Sequence, residues 1–147
     1  MIKLLIPIFS IALLVSCGTA KNSSRSDKAF LSAYKEIKSS DLKKNLYVIA
    51  SDEMEGRDTG SPGQKKAGAY MVNYYKNLGI SYPKALGSYY QKVPSEFMKK
   101  LSGSTLPDSE NILAFVEGSE KPEEIVVVSA HYDHVGTKNG VVYNCSD

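Results

Sequence analysis

His131 and Asp133 stand two residues apart in SAHYDHVG (129–136), directly after the apolar run Ile125-Val126-Val127-Val128. In extended chain, residues two apart project to the same side. A neutral imidazole binds zinc through one ring nitrogen. A carboxylate either binds the metal itself or accepts from the ring's other N–H and fixes its tautomer. The same two residues also fit a plainer arrangement, a histidine hydrogen-bonded at a strand end beside an aspartate that caps the loop. His131 and His134, three apart, would share a zinc on one turn of a helix, but on a strand they lie on opposite faces.

The elements that must position these residues are legible as patterns. The run 125–128 is apolar without alternation, which predicts a strand buried on both faces at the centre of an α/β sheet. In such sheets, functional groups sit beyond the carboxyl ends of strands. Stretches 111–117 and 124–130, separated by residues 118–123, predict a hairpin with a long connection. Residues 89–93 predict a short strand stopped by Pro94, and 95–110 a polar loop. Upstream, Phe30, Tyr34 and Ile37 recur at helical spacing over 29–37. A second helix starts at Ser40, a plausible N-cap, and carries Leu42, Leu46, Ile49 and Ala50. The loop 51–60 is acidic and glycine-bearing. The clearest helix follows, with Ser61 as N-cap, Pro62 at the first position and Gly79 as its stop. Its apolar face is Ala67, Tyr70, Met71, Tyr74 and Leu78. Gly60-Ser61-Pro62-Gly63-Gln64-Lys65-Lys66 lacks the spacing of a phosphate loop and reads as helix entry. No Gly-x-Ser-x-Gly elbow supports serine hydrolase chemistry.

The block SAHYDHVG, preceded by NILAFVEG (111–118), resembles the co-catalytic di-zinc aminopeptidases (peptidase family M-twenty-eight). The stretch ASDEMEGRDTGSPGQKKAGAYMVNYYKNLGI (50–80) resembles the N-terminal segment of the same family. Two separate blocks in the right order are more specific than one short pattern. The resemblance implies an α/β fold, a mixed β-sheet flanked by helices in a phosphorylase/hydrolase-like di-zinc aminopeptidase architecture, of which this chain is the N-terminal part. It implies two zinc ions at the carboxyl edge of the sheet. His131 would ligate one, Asp147 would bridge both, and Asp133 would be the catalytic-site carboxylate that orients His131. Cys145 stands where the family usually has a small residue, and reads as a small side chain in a tight loop, with a thiolate zinc ligand as the alternative. The implied activity is metallo-exopeptidase, releasing residues from the N-terminus of peptide substrates with a metal-activated water. The family's general-base glutamate and its remaining ligands, another histidine among them, have no counterpart in the 147 residues. The chain is therefore expected to bind zinc weakly and to hydrolyse little alone. A non-catalytic lipoprotein binding module on the same scaffold, and a glutaminyl-cyclase-like relative, are the competing readings.

The N-terminus reads as an address. Lys3 supplies a positive n-region, and the apolar stretch 4–15 suits an h-region and is too short for a bilayer span. Leu14-Val15-Ser16-Cys17 resembles a bacterial lipobox, which implies lipidation of Cys17 and a signal peptide over 1–16; cleavage after Ala20 is the alternative. Residues 17–28 then form a flexible tether, and 29–147 the zinc-peptidase part. The expected location is the cell envelope, lipid-anchored on the periplasmic or outer-membrane side. Composition agrees with a globular chain: 42% hydrophobic, 10% aromatic and 23% charged residues. The net charge of +2 comes from 18 basic and 16 acidic residues with no Lys/Arg stripe, which argues against a nucleic-acid partner. A sheet edge left without later strands is expected to promote aggregation.

Overall fold

The computed structural model describes residues 23–103 and 105–144. The signal peptide 1–16, Cys17 and the first part of the tether lie outside the described residues, as do Cys145 and Asp147. The chain divides into two units, residues 1–39 and 40–147. In the first, helix α1 spans Ser23–Glu36, so residues 23–28 of the expected tether are helical. The expected periodicity is present further along, where Phe30 and Tyr34 stack one turn apart with ring centroids at 6.3 Å.

The second unit mixes helices with small antiparallel sheets. Helix α2 (Ser39–Ile49) carries Asp41 in its first turn, where the helix dipole favours a negative charge. A 3-10 segment, Asp52–Arg57, occupies most of the acidic stretch expected as a loop. Helix α3 (Pro62–Asn77) starts as the sequence prescribes: the Ser61 hydroxyl accepts from the Gln64 N–H at 3.2 Å, and Pro62 opens the first turn. It ends at Gly79, whose φ of 71° lets its N–H return to Lys76 O.

The face that α3 buries differs from the expected one. Gly63, Gln64, Ala67, Gly68 and Val72 are buried, whereas Tyr74 and Leu78 are exposed. The reason is close approach. A Cβ on Gly63 would lie 2.1 Å from Met54 O, so the 3-10 segment packs on the helix backbone through its smallest residues. The tyrosine face looks towards α2 instead, where the Tyr70 hydroxyl donates to Asn45 Oδ1 at 2.7 Å.

Strand β1 (Tyr90–Val93) matches the expected strand and stops before Pro94. Helix α4 (Ser95–Ser102) stands where a polar loop was expected; Glu96 in its first turn, Lys99 and Lys100 in its last, and Gly103 in the left-handed conformation supply both ends. Strand β2 (Ser109–Ile112) pairs antiparallel with β1, Tyr90 opposite Ile112 and Val93 opposite Ser109. The small core lies where α3, the 3-10 segment and this ladder meet, around Met54, Ala67, Val72 and Tyr89. The Tyr89 ring meets Tyr82 edge-on at 5.2 Å, and its hydroxyl donates to Ile80 O.

The expected central strand is not formed. Residues 124–130 are neither helix nor strand, and Ile125, Val126, Val127 and Val128 are 74–94% exposed. The expected hairpin between 111–117 and 124–130 is therefore absent as well. A strand exists through its ladder, and β1 is the partner β2 takes, while no strand among the described residues lies beside 125–128. A second hairpin was not anticipated: β3 (Gly136–Lys138) and β4 (Val141–Tyr143) pair across Asn139-Gly140. Both turn residues have positive φ, 53° and 77°, as a two-residue type I′ turn requires. Among the described residues no helix is long and apolar enough to cross a membrane.

Candidate functional site

Residues 50–60 and 129–136, far apart in sequence, meet in the fold. The turn at Glu55-Gly56-Arg57 makes this contact possible. All three residues have positive φ, between 52° and 67°, and only the middle one is glycine. Gly56 has no alternative: a Cβ there would lie 2.4 Å from Gly136 O and 2.8 Å from Tyr143 O. The β3–β4 hairpin thus seats its backbone directly on the turn.

Arg57 locks the arrangement. The residue is only 3% exposed, its Nε donates to Tyr132 O at 2.9 Å, and Nη1 donates to Ile49 O at the end of α2. Arg57 O accepts the His134 N–H at 2.9 Å, and Asp58 bridges His134 in parallel register. A side chain that satisfies two main-chain carbonyls at a buried junction is a structural clamp; leaving such acceptors unpaired costs about 1–3 kcal/mol each. The Glu55 carboxylate, adjacent in sequence, pairs with Lys66 at 2.5 Å on an exposed face, an interaction worth little. Glu53 is exposed too, and the Ser51 hydroxyl, then a main-chain bond, hold its carboxyl below the ordinary range. Neither glutamate is placed beside His131 by any of these contacts.

The segment so held carries the sequence-derived candidates. His131 is exposed, and its Nδ1 lies 3.0 Å from Asp133 O and 3.4 Å from Asp133 Oδ1. Both neighbours only accept, so the ring meets them as an Nδ1–H donor. Asp133 is half-buried, and its second oxygen, Oδ2, accepts from the Thr59 hydroxyl at 2.5 Å. Tyr132, between the two, turns inward and donates to Glu110 O at 2.9 Å. Burial, with Glu110 and Asp133 adding negative charge, pushes its phenol well above the ordinary value.

His131 and Asp133 are therefore brought together, the main-chain O of Asp133 being nearer to the ring than its carboxylate. Asp147 lies outside the described residues, so its position relative to them is not part of this geometry. Among the described residues no group of three or more His, Cys, Asp or Glu side chains could hold a metal ion. The chemistry of His131 nevertheless fits zinc, which imidazole binds through one ring nitrogen while the other is held by an acceptor. Thr59 is the residue sequence reasoning missed. Its one signal was its place in the 50–80 block; a hydroxyl–carboxylate bond across 74 positions has no local pattern.

Comparison with known proteins finds no family model, no curated protein and no solved structure that matches this chain.

Proposed function

We propose that this chain contributes to a zinc-dependent exopeptidase of the di-zinc aminopeptidase type, anchored to the cell envelope through a lipid on Cys17. His131 and Asp147 are the metal ligands, and Asp133 orients His131. Held by these residues, zinc would supply Lewis-acid chemistry towards a scissile carbonyl and an attacking water. The chain's own contribution is positional. Asp133 keeps the His131 proton on Nδ1, and the Arg57 clamp holds the main chain that presents both side chains. One observation supports this reading above the others: the two blocks that resemble the family, 50–80 and 129–136, are joined through Arg57, Asp58 and Thr59 on one side and Tyr132, Asp133 and His134 on the other. A general base is not assigned to any residue of this chain.

Zinc titration of the 147-residue chain against a chromophoric chelator tests the proposal. Weak binding that His131→Ala abolishes is expected, with negligible turnover of aminoacyl-nitroanilides. Binding indifferent to His131→Ala, or robust turnover by this chain alone, would overturn it.

A further inference from the structure

The contact from Thr59 to Asp133 joins a side chain of one block to a side chain of the other, and its consequence falls on His131. We propose that Thr59 is a positioning residue for the His131–Asp133 pair, its hydroxyl fixing one carboxylate oxygen so that the other stays at His131 Nδ1. The inference rests on reading His131 as a metal ligand.

An exposed imidazole rotates about two side-chain bonds, so something must hold the ring if Nε2 is to point one way. Asp133 offers two acceptors: its main-chain O, fixed by the backbone, lies 3.0 Å from Nδ1, and its Oδ1, 3.4 Å away, stays there only if the carboxylate is held. With Oδ2 bonded to Thr59 Oγ1 at 2.5 Å, rotation of the carboxylate is restricted, and Oδ1 stays 3.4 Å from His131 Nδ1. Thr59 is in turn fixed from both sides. Its N–H donates to Asp58 Oδ1 at 2.9 Å, and Asp58 is bridged to His134. The next residue, Gly60, donates its N–H to Gln64 Oε1 at 2.6 Å. Gln64 is buried on α3, and the same oxygen accepts from the Ser109 hydroxyl at 2.9 Å on β2. The hydroxyl is thus carried by a loop tied to α3 and β2 as well as to the 129–136 segment. Partners that orient a ligand in this way characteristically change metal affinity by about 10–100-fold when removed.

The test compares Thr59→Val, which keeps the shape and removes the donor, with Thr59→Ser, which keeps the donor. Two readouts are taken on the 147-residue chain. The first is the tautomer of His131, from long-range proton–nitrogen correlation of the metal-free protein at about pH 8.5, above the ordinary imidazole range. Wild type and Thr59→Ser should show mainly the Nδ1–H form, and Thr59→Val a larger share of Nε2–H. The second is zinc affinity by chelator competition: about tenfold weaker for Thr59→Val and restored by Thr59→Ser. In an Asp133→Asn background, Thr59→Val should change neither readout further. An unchanged tautomer in Thr59→Val, or failure of Thr59→Ser to restore it, overturns the inference. Should Thr59→Val not fold, Thr59→Ala carries the same comparison. If wild type binds no zinc through His131, the metal reading fails, while the tautomer still decides whether Thr59 positions the pair.

Discussion

Tyr132 lies between His131 and Asp133 in sequence and does a different job. Its neighbours face outward, and it turns under α3, where its hydroxyl reaches Glu110 O on β2 at 2.9 Å. Burial first, and then the charges of Glu110 and Asp133, raise the pKa of its phenol in the folded protein. The unfolded chain titrates near the ordinary tyrosine value of about 10. Between those two values only the unfolded chain releases the proton, so the stabilisation is complete below about pH 10 and is lost as pH rises above it. Urea unfolding across that range should show Tyr132→Phe losing stability less steeply with pH than wild type. At neutral pH the same variant should be about 1 kcal/mol weaker for want of the hydrogen bond. Equal slopes above about pH 10 would show that Tyr132 is not protected from ionisation. His131 and Asp133 are legible in sequence as chemistry-bearing, whereas Tyr132 between them carries no such signal. Which of them serves the site and which the core depended on where β2 and α3 came to lie.

The turn at Glu55-Gly56-Arg57 and the β3–β4 hairpin form one joint. Gly56 combines a φ of 67° with backbone of Gly136 and Tyr143 within 3 Å of where a Cβ would be. Carbonyl oxygens cannot move aside as a flexible side chain can, so Gly56→Ala should cost about 3 kcal/mol or more. Gly140, at the tip of the hairpin, has a comparable φ of 77° and nothing within 4 Å. Gly140→Ala should therefore cost only the left-handed penalty, about 1–2 kcal/mol. Urea midpoints of the two variants give the comparison, and equal losses would mean that the hairpin does not seat on the turn. Helix α3 shows how local signals and packing part company. Ser61, Pro62 and Gly79 fixed its ends, because capping is short-range chemistry. Its buried face departs from the expected one, because apolar periodicity follows side-chain size, while the 3-10 segment comes closest at Gly63 and β2 with Tyr132 at Gly68. The Asn139-Gly140 pair is a strong hairpin signal, but the strands it joins are three residues each, too short to show an alternation of their own.

Across the 40–147 unit, the largest departure from expectation is the run 125–128. Four consecutive branched aliphatic residues are the mark of a strand covered on both faces, yet Val126 and Val128 are 89% and 94% exposed. An exposed stretch of high β-propensity without charge is a template for intermolecular pairing. Introducing Val126→Lys together with Val128→Lys should reduce light scattering of concentrated protein and shift the stability by no more than about 0.5 kcal/mol. A large loss of stability would mean that the run is buried in solution, as its composition suggests.

Sequence alone determined the capped ends of α3 and the closeness of an imidazole and a carboxylate at 131 and 133. Each is set by interactions spanning a few residues, and those are written in order along the chain. Tertiary structure decided what holds that pair. Arg57, Asp58 and Thr59 reach the segment around residue 133 only because Gly56 admits a backbone approach that no side chain would allow. It also decided the fate of the valine run, since a strand is defined by the neighbour it bonds to, and a sequence records the propensity to pair without naming the partner.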